Sequence, residues 1–414
     1  MISRLAARIV CAWTIAALCF ARTVQPVSAF EVTVRTVDGT ETVGHLTSFS
    51  LDGSLDWQPA ETGDVKTPAY EIVAITSLHQ TPPAPPTGAA VYLSHQGLLF
   101  GEIGDTDENG LELTSPLLGR LRVPLECVTA MVTERGRRTL SASAVRAAAR
   151  RTDRDTDELW FANGDRLSGS LLAINHEYVL VETGSGSSQT PTEYLLGVFL
   201  AEAPPAADRK PRGILRLVDS SAVPVNHLRW YGPEVQAASE DWLDLAFAAK
   251  HLASLEVLGG RWRWLGSLVP SEYEQSSLAG ARWPYRIDAN VMDEPLSING
   301  RTYDRGIGLH SAARLVYYLG GDYEAFVARV GMDDSAGSLA DADFEILVDE
   351  RTAFRRTGIG RAEPPIPVRL DIDGVQRLEI RVGFGRNGDI QDRVNLADAA
   401  LIRRAAPPVG PSAP

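Results

Sequence analysis

The sequence predicts a mainly β protein, a row of small barrels followed by a larger two-sheet sandwich. Three observations carry that expectation. Apolar residues alternate with period two, and helical spacing is almost absent. Glycine and proline interrupt the chain every few residues, as short strands and tight turns require. One pattern also recurs along the first two thirds of the 414 residues.

The chain opens with a segment outside that fold. Arg4 and Arg8 precede a nearly unbroken apolar run from Ile9 to Phe20, and Val27-Ser28-Ala29 offers small residues for cleavage. Residues 1–29 therefore read as a secretory signal peptide, with an apolar run too short to span a bilayer. Leu18 is too bulky before Cys19 for a lipid-attachment site. No later stretch approaches membrane-spanning length, so the product is expected to be secreted or periplasmic. With Cys11 and Cys19 gone, only Cys127 remains of the three cysteines. No internal disulfide is then expected, and Cys127 reads as a buried strand residue.

The formal net charge of −13 disfavours nucleic acid and anionic membrane surfaces as partners. A neutral polysaccharide is compatible with it. The one basic run, "ERGRRTLSASAVRAAARRTDR", reads as a solvated helical linker.

In "FEVTVRTV", Phe30, Val32 and Val34 share one face opposite Glu31, Thr33 and Arg35. From this strand the first unit runs to residue 80, the second covers 88–135, the third 157–202 and a degenerate fourth 213–260. Each of the first three has a strand, a turn glycine (Gly39, Gly97, Gly164) and a second glycine (Gly44, Gly101, Gly169) opening the return strand. The turn glycines are expected to supply positive φ, and the second set a bulge or sharp bend. The fourth unit has lost these glycines. Strands this short bury a core best by curling into a barrel, and the units resemble SH3-like or Sm-like barrels. "HQTPPAPPTGA" and "APPAADRKPRG" read as linkers, and residues 406–414 as a disordered tail.

From about Trp264 the alternation becomes cleaner. Val368, Leu370 and Ile372 share a face, as do Leu378, Ile380 and Val382, and Phe344, Ile346 and Val348. Such strands fit a sandwich with one buried face per sheet. In "INGRTYDRGIGLHS", Gly300 closes a turn, and Gly306 and Gly308 sit where a side chain would block close backbone packing. His310 shares the face of Gly308 and reads as a core histidine satisfied by hydrogen bonds.

"NGRTYDRGIGLHS", "YYLGGDYEAF", "VGMDDSAG" and the terminal "LADAAL" resemble the signature of the NPCBM domain over residues 264–405. This carbohydrate-binding module occurs beside family 98 glycoside hydrolases and is related to carbohydrate-binding module family 51. The resemblance implies a galactose-binding-like jelly-roll sandwich and sugar binding in a secreted protein. Three features depart from the family pattern: Arg393 stands where a histidine is usual, Leu396 where a tryptophan is, and Asp349-Glu350 where Asp-Gly is usual in the hairpin after "FEILV".

Sugar sites combine an aromatic platform with a few polar groups that orient hydroxyls. The candidates are Trp283, Tyr285, Tyr303, Arg305, Tyr317 and Tyr318. Asp333 and Asp334, with Asp398 in the closing segment, are candidate oxygen ligands for a structural Ca²⁺. Asp333 and Asp334 could equally hold their loop by turn hydrogen bonds.

Signals for catalysis are weak. "GFGRNG" has dinucleotide-fingerprint spacing but no helix after it, so it reads as a loop. "GSGSS" is not a nucleophile elbow, "HEYVL" lacks a second histidine, and the seven histidines show no metal-ligand spacing. Acidic pairs for glycosidase chemistry have no catalytic-sized domain to hold them. The expectation is a non-enzymatic glycan-binding protein. The alternatives are a cell-envelope scaffold without sugar affinity and a targeting subunit for a separate glycoside hydrolase.

Overall fold

The computed structural model describes residues 30–78, 86–107, 110–149, 154–201, 210–239, 243–278 and 280–405. The signal segment, most of both linkers and the tail lie outside the described residues. The chain is mainly β, as the alternation predicts.

The first unit is built from Phe30–Thr36, Glu41–Ser50, Ser54–Pro59, Val65–Pro68 and Ile72–Ser77. Its first strand pairs with both the second and the last, and the second, third and fourth follow as a meander. Val32, Val34, Leu46, Leu55 and Ile75 are wholly buried on the inward face. A 3₁₀ turn, Ala69–Glu71, precedes the last strand. The second and third units repeat this order. The fourth does too, with its long second strand split into Ala222–Val225 and His227–Tyr231.

The glycines divide by cause. A Cβ on Gly44, Gly101 or Gly169 would sit 2.5, 2.4 or 2.3 Å from a carbonyl oxygen of the neighbouring third strand. Only a missing side chain permits that approach. Gly39 and Gly164 carry the positive φ expected of them. Gly97 does not: its φ is −71°, and His95 and Gln96 hold the positive angles of that turn. In the fourth unit Ser220 adopts φ +71° where Gly39 and Gly164 sit in theirs, in a turn braced by Ser221 N donating to Asp219.

The units associate in pairs by one rule. The last strands of units one and four run antiparallel with Ile75 opposite Leu255. Those of units two and three do so with Met131 opposite Val198. In all four cases this is the fourth residue of the strand. The second strands also meet: Arg229 pairs with Ser50, and Thr106 exchanges two hydrogen bonds with Ile174. The two pairs join where Leu98 meets Ala222. Edges that would otherwise template aggregation are thereby covered.

The basic run is helical, at Glu134–Thr139 and Ala142–Ala149, but it is not a solvated linker. Val145 and Ala148 are buried against Ala90, Phe100, Ala130, Val132 and Phe199. Arg137 and Arg154 lie over the rings of Phe100 and Phe199. The arginine stems cover apolar surface of the second and third units, which composition alone does not show. Cys127 likewise ends a 3₁₀ turn, half-buried, instead of lying in the strand that follows.

The C-terminal sandwich follows the fourth unit after Val257, and its first strand, Trp262–Trp264, pairs with Arg393–Arg403. One sheet orders Arg286–Ile287, Gly306–His310, Arg393–Arg403, Tyr323–Met332 and Ile366–Asp371. The other orders Glu272–Gln275, Ala313–Tyr318, Arg377–Phe384, Asp341–Val348 and Arg351–Gly360. Leu309, Leu315, Phe326, Val330, Phe344, Ile380 and Leu401 fill the space between them. A Cβ on Gly308 would lie 2.5 Å from Ala289 O, so the expected close packing is present. "GFGRNG" is a loop, with Gly385 and Gly388 bridging and the strand Arg393–Arg403 next.

Candidate functional site

The sandwich brings aromatic and polar residues together where the 276–285 segment meets the 385–392 loop. The Trp283 indole lies flat on the His310 imidazole, with centroids 4.8 Å apart and planes at 7°. His310 is buried and its Nδ1 is 3.0 Å from Ser311 O, the core role the sequence predicts. Trp283 N donates to Gln275 Oε1 at 3.0 Å, and Tyr273 Oη donates to Trp283 O at 2.6 Å. Tyr273 meets Tyr285 edge to face at 4.9 Å. The indole is thus held on one face by His310, its backbone is pinned on both sides, and it remains partly exposed.

Acceptors gather beside it. Asp389 Oδ2 accepts from Ser277 Oγ at 2.7 Å and from Leu278 N at 2.8 Å. The Ser277 and Leu278 hydrogen bonds hold its carboxyl below the usual range. Behind it, burial pushes the Asp392 carboxyl up. Leu278 and Ile390 are exposed apolar side chains at the rim. A half-exposed indole with an ionised acceptor in the same part of the sandwich is chemistry suited to a polyhydroxylated ring.

The other predicted contacts lie elsewhere. Tyr285 packs against the sandwich core, half-buried. Tyr317 is buried with no hydrogen-bond partner for its hydroxyl, and burial pushes that hydroxyl's pKa up, so it offers no platform. Tyr318, on the opposite face of the same strand, is exposed 3.5 Å from Glu272. Tyr303 is buried in the small cluster with Leu296, Ile298 and Ala397. Arg305 does not face the Trp283 surface. Its guanidinium donates to Glu256 of the fourth unit at 2.6 and 3.1 Å, to Asp288 at 3.0 Å, and to Gln96 of the second unit. It ties three parts of the chain together.

The three candidate calcium ligands are not grouped, and they do not fit the ion. Asp333 is fully buried. It accepts from Asn290 Nδ2, Ser335 N, Ser335 Oγ, Ser297 N and Asn395 Nδ2, which occupies both oxygens with donors. Asp334 accepts from Gly300 N at 2.9 Å. Asp398 pairs with Arg35 and Arg329 at 3.6 and 3.5 Å. Among the described residues no three acidic, histidine or cysteine side chains are placed to share a metal, and no helix is long and apolar enough to cross a membrane.

Gln275, Ser277, Leu278 and Asp389 were not singled out by sequence. More than a hundred residues separate Asp389 from Ser277, and only the fold joins them. The one local signal is "GFGRNGD", whose glycine-rich turn ends on that aspartate.

Residues 263–402 match the family model described as the NPCBM/NEW2 domain. A curated protein of Renibacterium salmoninarum named "Putative endo-alpha-N-acetylgalactosaminidase" is 27% identical over 117 residues, spanning 28% of this chain and 8% of that protein. A CBM51 module from a Clostridium perfringens family 95 glycoside hydrolase, solved with methyl-galactose, is 26% identical. It covers 34% of this chain and 99% of its own, with a TM-score of 0.31. A second Clostridium perfringens structure, CBM51-2 with GlcNAc and INT domains, is 20% identical. It covers 41% of this chain and 36% of its own, with a TM-score of 0.32.

Proposed function

We propose that this chain, whose C-terminal third is an NPCBM-type, CBM51-like module, binds a glycan reversibly through the surface around Trp283. We read it as having no chemistry of its own. Support comes first from the family match across residues 263–402, which spans the whole sandwich. Within that span, Trp283 is the predicted aromatic that is both held rigidly and left partly open. The indole would take the apolar face of a sugar ring, while Asp389 accepts from its hydroxyls; Gln275, whose amide is committed to Trp283 N, Ser276 O and Ser311 O, holds the platform in place. The buried imidazole beneath serves as a rigid floor. The four barrel units, which we read as SH3-like, would act as a rigid body that positions the module on a secreted or periplasmic protein. No calcium enters this reading.

A glycan array probed with the full chain tests it. Retention on neutral glycans, lost in Trp283→Ala with folding intact, is the expected result. No retention on any glycan by the wild-type chain would remove the sugar-binding reading and leave a scaffold.

A further inference from the structure

A second concave surface lies where units one and four meet the sandwich, away from Trp283. Its floor is a continuous strip of four strands. Thr33 pairs across to Thr76, Thr76 to Ser254, and Ser254 to Arg216, so these side chains stand in one row on one face. The row crosses the seam between the two units, and its inward neighbours Val34 and Ile75 are buried. The roof is the sandwich segment Arg301–Arg305, and Trp264 closes one wall. The open cleft has a volume of about 390 Å³, within the span of roughly 300–1,000 Å³ usual for small-molecule sites.

The chemistry is that of hydroxyls. Thr33, Thr76 and Ser254 have no side-chain hydrogen-bond partner among the described residues and are partly exposed to the cleft. Neighbouring strands stand about 4.8 Å apart, comparable to the width of a pyranose ring. A hydroxyl both donates and accepts, as sugar hydroxyls require of their partners. Tyr303 lies in the roof, its own hydroxyl closed off from the cleft. The charged groups largely neutralise one another: Arg35 with Glu41 and Asp398, Arg305 with Glu256, and Arg216 with Asp304. A strongly charged ligand gains nothing from such a balanced wall. A neutral one is not repelled.

We propose that this cleft is a second saccharide site, which takes a neutral mono- or disaccharide unit on the Thr33–Thr76–Ser254 row beneath Tyr303. It goes beyond the Trp283 reading and does not depend on it.

The test uses the full chain carrying Trp283→Ala, so that the first surface is silent. Methyl-galactoside, N-acetylglucosamine and lactose are titrated by calorimetry and ligand-observed NMR. Saturable binding of one of them is expected in this background, weakened by about tenfold or more when Thr76→Arg fills the cleft. The milder pair Thr33→Val with Ser254→Ala should weaken it too, and an unchanged melting curve shows that the floor is intact. Absence of saturable binding in the Trp283→Ala chain overturns the proposal, as does binding indifferent to all the cleft variants. If the wild-type chain still binds, the Trp283 surface stands alone.

Discussion

At one end of the sandwich Arg305 and Asp398 pair with residues of the N-terminal units; at the other, Trp283 keeps part of its indole in solvent. Both ends carry aromatic rings, an arginine or amide donor, and carboxylates. What separates them is the neighbour. Arg305 meets Glu256 and Gln96 from other units and is buried by them, whereas Trp283 stacks only on His310 from its own domain. Polar and aromatic content therefore marks a surface with work to do, but whether it holds another domain or a ligand depends on what the chain folds against it.

The sharpest way to break this contrast is to cut the closed end. Arg305→Ala leaves Glu256 and Asp288 buried without their counter-charge, a loss expected to cost about 3–5 kcal/mol. Because Arg305 bridges the sandwich to the second and fourth units, the single thermal transition expected of the wild type should split, with the sandwich and the N-terminal units melting separately. A single transition at the wild-type midpoint would show that the apolar contact of Trp262 with Val37, Val73 and Ile402 suffices to lock the parts together.

Next in size is Glu379, buried on the five-stranded sheet. Burial pushes its carboxyl up, but hydrogen bonds from Arg314, Arg381 and Arg377 outweigh that and hold it below the ordinary 4.5. The sign follows: a carboxylate with a depressed folded pKa stabilises fully above its unfolded value, and that contribution is lost as pH falls through the folded one. Glu379→Gln should cost about 1–3 kcal/mol at neutral pH and flatten the acid limb of the stability profile. An acid limb as steep as the wild type's would move the titrating group elsewhere.

How much of this was legible in advance depends on the range of the interaction. Period-two alternation is local, so the strands around Val32, Phe344 and Ile380 were readable from spacing. The need for Gly44, Gly101 and Gly169 was visible too, although its cause, a carbonyl of the third strand, was not. The fate of Arg305 was not legible because its partners Glu256 and Gln96 lie 49 and 209 residues away. Nor was the burial of Val145 and Ala148, since a helix with arginines along it reads as solvated until something apolar is placed beneath it. Trp283 was legible as a candidate, and its stack on His310 only as two aromatic residues in one module.

At the open end, Trp283→Ala should reduce glycan binding by roughly tenfold or more, about 1.4 kcal/mol, while changing the melting midpoint little, because the ring is only partly buried. Asp389 is held ionised by its hydrogen bonds, so binding should stay flat from about pH 8 down to about pH 5. A fall in affinity across that range would assign the sugar's acceptor to a different group.

The smallest effect separates the two ends from the core between them. Tyr317 shares the aromatic character of both, yet its hydroxyl is buried with no partner, a condition that costs folding energy. Tyr317→Phe removes the hydroxyl and keeps the ring that packs in the core. The denaturant midpoint should therefore be unchanged or rise by up to about 1 kcal/mol of stability, with the slope of the transition and glycan binding both unaltered. A clear destabilisation would mean that the hydroxyl is engaged, by an internal water or by Tyr285 beside it, and the core would then share the polar bracing seen around Trp283.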